Sequence, residues 1–156
     1  MKTRFLLAAA FCVLIGVACS QPNQRPPDTG SADRATTAQL VEREDRAFAN
    51  KDVDGVLAVY SADVVMMPPN EPAIRGKDAL RPWFTKLFSQ QAFQASSGTS
   101  EGLEVAGDLD VERITLRNSA GQATGKVIHV YRRQADGTWQ ITQDIWNTDA
   151  PAPGPK

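Results

Sequence analysis

The chain has 156 residues, 42% of them apolar and 22% charged, with a net charge of −1 at pH 7. That length supplies one hydrophobic core and no second domain. There is no basic excess of the kind that neutralising phosphates demands, and Arg132-Arg133 is the one adjacent basic pair, so nucleic acid is not an expected partner.

The N-terminus reads as an export signal over residues 1–18. Lys2 and Arg4 give a positive start, Phe5 to Val17 form an apolar run, and Gly16, Ala18 and Cys19 are small. The run is well short of the roughly 20 apolar residues that span a bilayer. The stretch "IGVACS" resembles a bacterial lipoprotein box, in which Cys19 would carry the lipid and become the first residue, although Gly16 stands where such boxes usually have Leu, Val or Ile. Secretory cleavage after Gly16-Val17-Ala18 would cut the same bond, so two routes stay open, lipidation being the expected one. Ser20 after Cys19 resembles lipoproteins sent to the outer membrane. The expected location is therefore the periplasm or cell envelope, with the lipid on Cys19 as the only membrane contact.

Residues 19–35, with three prolines and few apolar side chains, read as a disordered tether. Cleavage removes Lys2 and Arg4 and takes the net charge from −1 to −3. Cys12 leaves with the leader, so the folded part has no cysteine, hence no disulfide, thiolate metal site or cysteine nucleophile.

From Thr36 to Lys51, the pairs Leu40-Val41 and Ala47-Phe48 recur at seven-residue spacing among charged residues, which predicts an amphipathic helix. Asp52 is a candidate N-cap for a short helix carrying Val53, Val56, Leu57 and Tyr60. Val64 to Met67 reads as a strand, Pro68 to Pro72 as a turn and Ile74 to Gly76 as a short strand. Asp78 to Gln90 reads as a third helix, with Pro82 tolerable in its first turn. Strand-like runs follow at Gln91 to Thr99, Glu101 to Leu116, Thr124 to Arg133 and Thr138 to Asn147, with turn signals at Gly107-Asp108, Asn118 to Gly121 and Asp136-Gly137. Three helices followed by a meander predict an α+β domain over 36–148, its antiparallel sheet covered on one face by helices. Residues 149–156 read as a disordered tail.

Four stretches, "NKDVDGVLAVYSADVVMMPPN" (50–70), "RGKDAL" (75–80), "GKVIHVYRRQADGTWQI" (125–141) and "DIWN" (144–147), resemble the nuclear transport factor 2-like superfamily. Within it the chain is similar to the SnoaL-like, ketosteroid isomerase-like group, and most of all to the family known as domain of unknown function 4440. The resemblance implies a cone: three N-terminal helices packed on a strongly bent, mainly antiparallel sheet. It also implies a small-molecule cavity and homodimers formed through the open sheet face. Isomerases of that kind need an Asp base and an oxyanion hole made of a Tyr and a protonated Asp. Laid over this chain, the base position falls on Pro68, the Tyr position near Glu44 and the protonated-Asp position on His129. Without a base there is no proton transfer to accelerate, so ketosteroid isomerisation is not expected.

The candidate residues follow from this. Alternation puts Val127, His129 and Tyr131 on one strand face, and Gln140, Thr142, Asp144 and Trp146 on one face of the next. His129, the sole histidine, and Asp144 are the candidate acid/base pair, with Glu44 as a further candidate carboxylate. Each also has a plain reading: a strand histidine, a carboxylate paired with Arg132 or Lys126, and a solvated stripe-edge glutamate. Met67, Glu44, Tyr131, Trp146 and Trp83 are the candidate pocket residues, for a small apolar or carbonyl-bearing ligand. One histidine and no cysteine in the folded part rule out the usual zinc sites, and no cofactor is expected. The expected role is a ligand-binding domain outside ketosteroid isomerase chemistry, leaning away from catalysis. Its alternatives are an acid/base enzyme of isomerase, cyclase or dehydratase type and a dimeric structural module.

Overall fold

The computed structural model describes residues 30–149; the leader, Cys19, the tether up to residue 29 and the tail from 150 onward lie outside the described residues. The order is α1 (Gly30–Ala49), α2 (Val53–Val59), β1 (Tyr60–Met67), β2 (Ile74–Arg75), α3 (Lys77–Ser89), β3 (Ser97–Ala106), β4 (Leu109–Arg117), β5 (Ala123–Arg133) and β6 (Trp139–Thr148).

α1 begins at Gly30, so the end of the expected tether is helix, and the domain starts six residues before Thr36. Apolar periodicity missed this turn because polar contacts hold it. Buried Asp33 accepts from Arg133 Nη2 at 2.6 Å and from Trp139 Nε1 at 3.2 Å, and Thr37 donates to Asp110 at 3.0 Å. The cap of α2 is as expected, the Asp52 carboxylate accepting from the Gly55 amide at 3.0 Å. α3 runs through Pro82 in its second turn rather than its first; Pro82 lies on the exposed side, where water can take the carbonyl its missing N–H leaves free.

One six-stranded sheet has the order β2-β1-β6-β5-β4-β3, antiparallel throughout except for the parallel pair β1/β6. The sequence placed a strand over Gln91 to Thr99 and a single one over Glu101 to Leu116. Residues 91–96 are loop instead, and the long run folds back at the expected Gly107-Asp108 turn, where Gly107 has a φ of +66° that suits glycine, so it makes the two strands of the β3/β4 hairpin. Register shifts at Ser100/Gly102, Leu116/Arg117 and Val130/Tyr131 bend the sheet. The bend carries the far edge back to α1, where the Gly98 amide donates to both carboxylate oxygens of Asp45 at 3.0 Å.

The inward face of β5 is as alternation predicts, with Val127, His129 and Tyr131 all buried. On β6 the bulge at Thr142 changes parity. Asp144 still faces inward, but Trp139 and Ile141, not Gln140, continue that face. The core lies between the helices and this concave face, with Leu80, Phe84 and Phe88 of α3 meeting Tyr60, Val64 and Met66 of β1. Phe48, Phe84, Phe88 and Phe93 form edge-on and tilted aromatic contacts at centroid distances of 5.0–6.4 Å.

Candidate functional site

The concave sheet and the helices enclose a cavity of about 360 Å³. Its walls are mostly apolar and aromatic, including Phe48, Met66, Trp83, Phe84, Phe93, Ile114, Val127 and Trp146, with the polar groups Glu44, Asp45, His129 and Asp144 among them. Of the expected pocket residues, Glu44, Trp83 and Trp146 line it. Met67 does not, because strand alternation turns its neighbour Met66 inward. Tyr131 does not either: it is fully buried behind the wall, supporting His129.

Three elements bring the polar groups together. Glu44 holds the middle of the α1 stripe, with Leu40 and Val41 before it and Ala47 and Phe48 after, so the packing that buries the stripe buries the carboxyl too. β5 presents His129 and β6 presents Asp144, direct cross-strand partners. His129 Nε2 lies 3.6 Å from Asp144 Oδ1 and 3.9 Å from Glu44 Oε2, ion-pair rather than hydrogen-bond separations. All three residues are at least nine-tenths buried.

Two tyrosines organise the cluster. Tyr60 Oη is 2.8 Å from Glu44 Oε1 and 2.7 Å from Asp144 Oδ2. One hydroxyl proton cannot serve both carboxylates, so the second close contact requires a proton on a carboxyl that donates back to the phenol oxygen. On the other side Tyr131 donates to Glu112 Oε2 at 2.6 Å, which leaves its oxygen to accept from His129 Nδ1 at 3.3 Å. That contact fixes the ring so that Nε2 faces the carboxyls and the cavity.

The electrostatics match this proton inventory. Burial, with help from Asp144, pushes the Glu44 carboxyl up to about 7, against the pull of His129 and the Tyr60 hydrogen bond. Burial alone would favour a neutral His129, but the Glu44 and Asp144 carboxylates outweigh it and raise the imidazole to about 9. Burial and the neighbouring carboxylates hold both tyrosines above the ordinary phenol range, so they stay protonated donors. At neutral pH the cluster thus holds an imidazolium beside a carboxyl poised between its two forms.

Asp144 Oδ1 is buried and has no hydrogen-bond partner among the described residues. Glu44, His129 and Asp144 also offer one ligand atom each within 4.8 Å of one another, a set with metal-ligand chemistry. Sequence reasoning brought these three together as acid/base candidates but not as a ligand set, because positions 44, 129 and 144 form no local metal motif. It also missed Tyr60, read only as part of a helix face, and Glu112. The second had a signal, since Asp110, Glu112 and Ile114 alternate on β4, which puts two acids on the face of a core isoleucine.

An α+β cone with a polar cluster deep in an apolar cavity defines the class, and the comparisons agree with it. The chain belongs to the SnoaL-like domain family, whose model matches residues 41–142. Among solved structures it is similar to a ketosteroid isomerase-like protein from Erwinia carotovora atroseptica, with 25% identity and a TM-score of 0.63 over 75% of this chain and 96% of that one. A protein of unknown function from Pseudomonas putida, described as like nuclear transport factor 2, aligns at 24% identity and a TM-score of 0.64, over 80% of this chain and 90% of that one. A cystatin-like domain of unknown function from Nostoc punctiforme shares 14% identity at a TM-score of 0.67, over 78% and 80%. No curated protein matches the chain.

Proposed function

We propose that the cone binds a small, mainly apolar molecule and that His129, Asp144 and Glu44 transfer a proton at its buried end, chemistry of isomerase, cyclase or dehydratase type. The observation that carries this is the juxtaposition of His129 Nε2 and Asp144 Oδ1, 3.6 Å apart on the wall of the cavity, with the carboxylate oxygen unpartnered. A buried acceptor without a partner costs stability, and a bound molecule offsets that cost. A base and an acid whose proton affinities are displaced by burial and by each other are what general acid/base catalysis needs. Ketosteroid isomerisation is outside the proposal, because Pro68 stands at the base position of that pattern.

The test is an NMR screen of small apolar molecules against the protein, followed through its three tryptophan indole N–H signals. A cavity ligand shifts those of Trp83 and Trp146, which line the cavity, and leaves that of Trp139, bonded to Asp33, unmoved. Deuterium uptake by the bound molecule, lost in His129→Gln, supports proton transfer. A screen that moves neither Trp83 nor Trp146 would sink the reading.

We also propose that the protein is exported and lipid-anchored through Cys19, and that it pairs with a second copy through the outer face of the sheet. The first rests on the leader and "IGVACS". The second rests on Val111 of β4, 39% exposed, and Ile145 of β6, 45% exposed, which flank half-buried Val130 and Ile128 of β5 on the outer face.

A further inference from the structure

We infer that the molecule held in the cone carries a hydroxyl group, an alcohol or a phenol, at its buried end, and that this hydroxyl sits between His129 Nε2 and Asp144 Oδ1. The inference rests on the reading that the cone binds a small molecule, and adds the chemical class of that molecule.

A hydroxyl satisfies both atoms with a single oxygen. Nδ1 is committed to Tyr131, so Nε2 is the ring nitrogen that meets the ligand, and between the Glu44 and Asp144 carboxyls the ring carries its second proton there. Asp144 Oδ2 is committed to Tyr60, and Oδ1 is the orphaned acceptor. The two atoms, 3.6 Å apart, are too distant to bond each other, and one oxygen lying to the side of the line between them, about 2.8 Å from each, bridges both. That oxygen must accept from Nε2 and donate to Oδ1, as a hydroxyl does.

Head groups that only accept, or that carry a full charge, fail on one side. A carbonyl accepts from His129 but leaves Oδ1 without a donor. An ammonium donates to Oδ1 but meets the imidazolium. A carboxylate or phosphate meets Glu44, Asp45 and Asp144 in a cavity where no lysine or arginine of the described residues lines the wall. The aromatic walls at Phe48, Trp83 and Phe93 suit a flat or hydrocarbon body behind that head.

The experiment is isothermal titration of the full chain at pH 7 with one body and five heads: naphthalene, 2-naphthol, 2-naphthaldehyde, 2-naphthoate and 2-(aminomethyl)naphthalene. The expected result is 2-naphthol bound about tenfold or more tighter than each of the others, as for a hydrogen bond to a charged group. Asp144→Asn, checked by circular dichroism for folding, should reduce that advantage, because a neutral amide oxygen replaces the charged acceptor. Equal affinity for naphthol and naphthalene would overturn the hydroxyl while leaving a binding cavity. So would tighter binding of the aldehyde, the acid or the amine. Failure of every compound to bind would overturn the hydroxyl together with the binding reading itself. The wild-type series decides even where the variant does not fold.

Discussion

The phenol of Tyr60 lies 2.7 Å from Asp144 Oδ2, a contact across 84 positions of sequence that ties the start of β1 to the middle of β6. The same phenol touches Glu44 Oε1, so a single buried hydroxyl is the joint of the whole acid cluster. Tyr60→Phe keeps the ring's packing and removes the joint. Two buried carboxyl oxygens then lose their partner, and the expected cost is about 1–3 kcal/mol in urea denaturation. The Tyr60 bond also pulls Glu44 downward, so the variant should titrate Glu44 above its value of about 7, read by carboxyl-carbon NMR. Unchanged stability together with an unchanged Glu44 titration would mean the contact carries no weight.

Stability should fall as pH rises from about 4.5 to about 9. Glu44 binds its proton more tightly folded, at about 7, than unfolded, at its ordinary 4.5, so between those values the folded state holds the extra proton and raising pH destabilises it. His129 behaves alike. Raised from 6.5 to about 9, it contributes fully below 6.5 and loses its contribution on the way to 9. The groups facing the pair, Asp144 from β6, Glu112 from β4, Asp45 from α1 and the two tyrosines, share its charge, so the two effects are not independent and do not simply add. Denaturant midpoints at pH 5 and pH 8.5 check the sign, and the single histidine allows NMR to read its midpoint directly. Replacing Asp144 by Asn should lower that midpoint; one near 6.5 in the wild type would remove the buried ion pair from the account.

How much of this could be read from the chain differs by element. α3 and the inward face of β5 follow from periodicity alone, since their buried positions are apolar apart from one histidine. Parity on β6 did not, because a bulge at Thr142 obeys no residue pattern and reverses the face of everything before it. Glu44 was visible as a break in an apolar stripe, and burial came with the stripe. Its partnership with Tyr60 was not visible, because contacts between residues 16 and 84 positions apart arise only when the cone closes. The resemblance to a known family carried the overall architecture further than composition did, yet it gave no hint of the Tyr131–Glu112 support behind His129.

The early start of α1 makes its own prediction. Asp33 joins the first turn of the helix to Arg133 and Trp139, and Arg133 lies over the indole at 4.6 Å. Asp33→Ala leaves the buried Trp139 N–H without that acceptor, at an expected cost of about 1–3 kcal/mol. Since none of the three lines the cavity, ligand affinity should hold while amide hydrogen exchange quickens over residues 30–36. Loss of affinity without faster exchange would mean that this latch communicates with the cavity instead.

The outer sheet face supplies the last test. Val111 pairs with Val130 and Ile128 with Ile145, and these outward positions run side by side across β4, β5 and β6, with Arg113, Lys126 and Arg132 around them. Contiguous exposed apolar surface rimmed by charge is how an association site reads on a folded domain. A two-fold pair would bring each Ile145 close to its counterpart or to Val111 of the other copy. Ile145→Glu then puts a charged side chain into the apolar contact and should dissociate the pair. The expected outcome in sedimentation is a dimer for the wild type and a monomer for the variant, with the cavity's ligand affinity unchanged because Ile145 points away from it. A wild type that sediments as a monomer at every concentration tried would overturn the pairing.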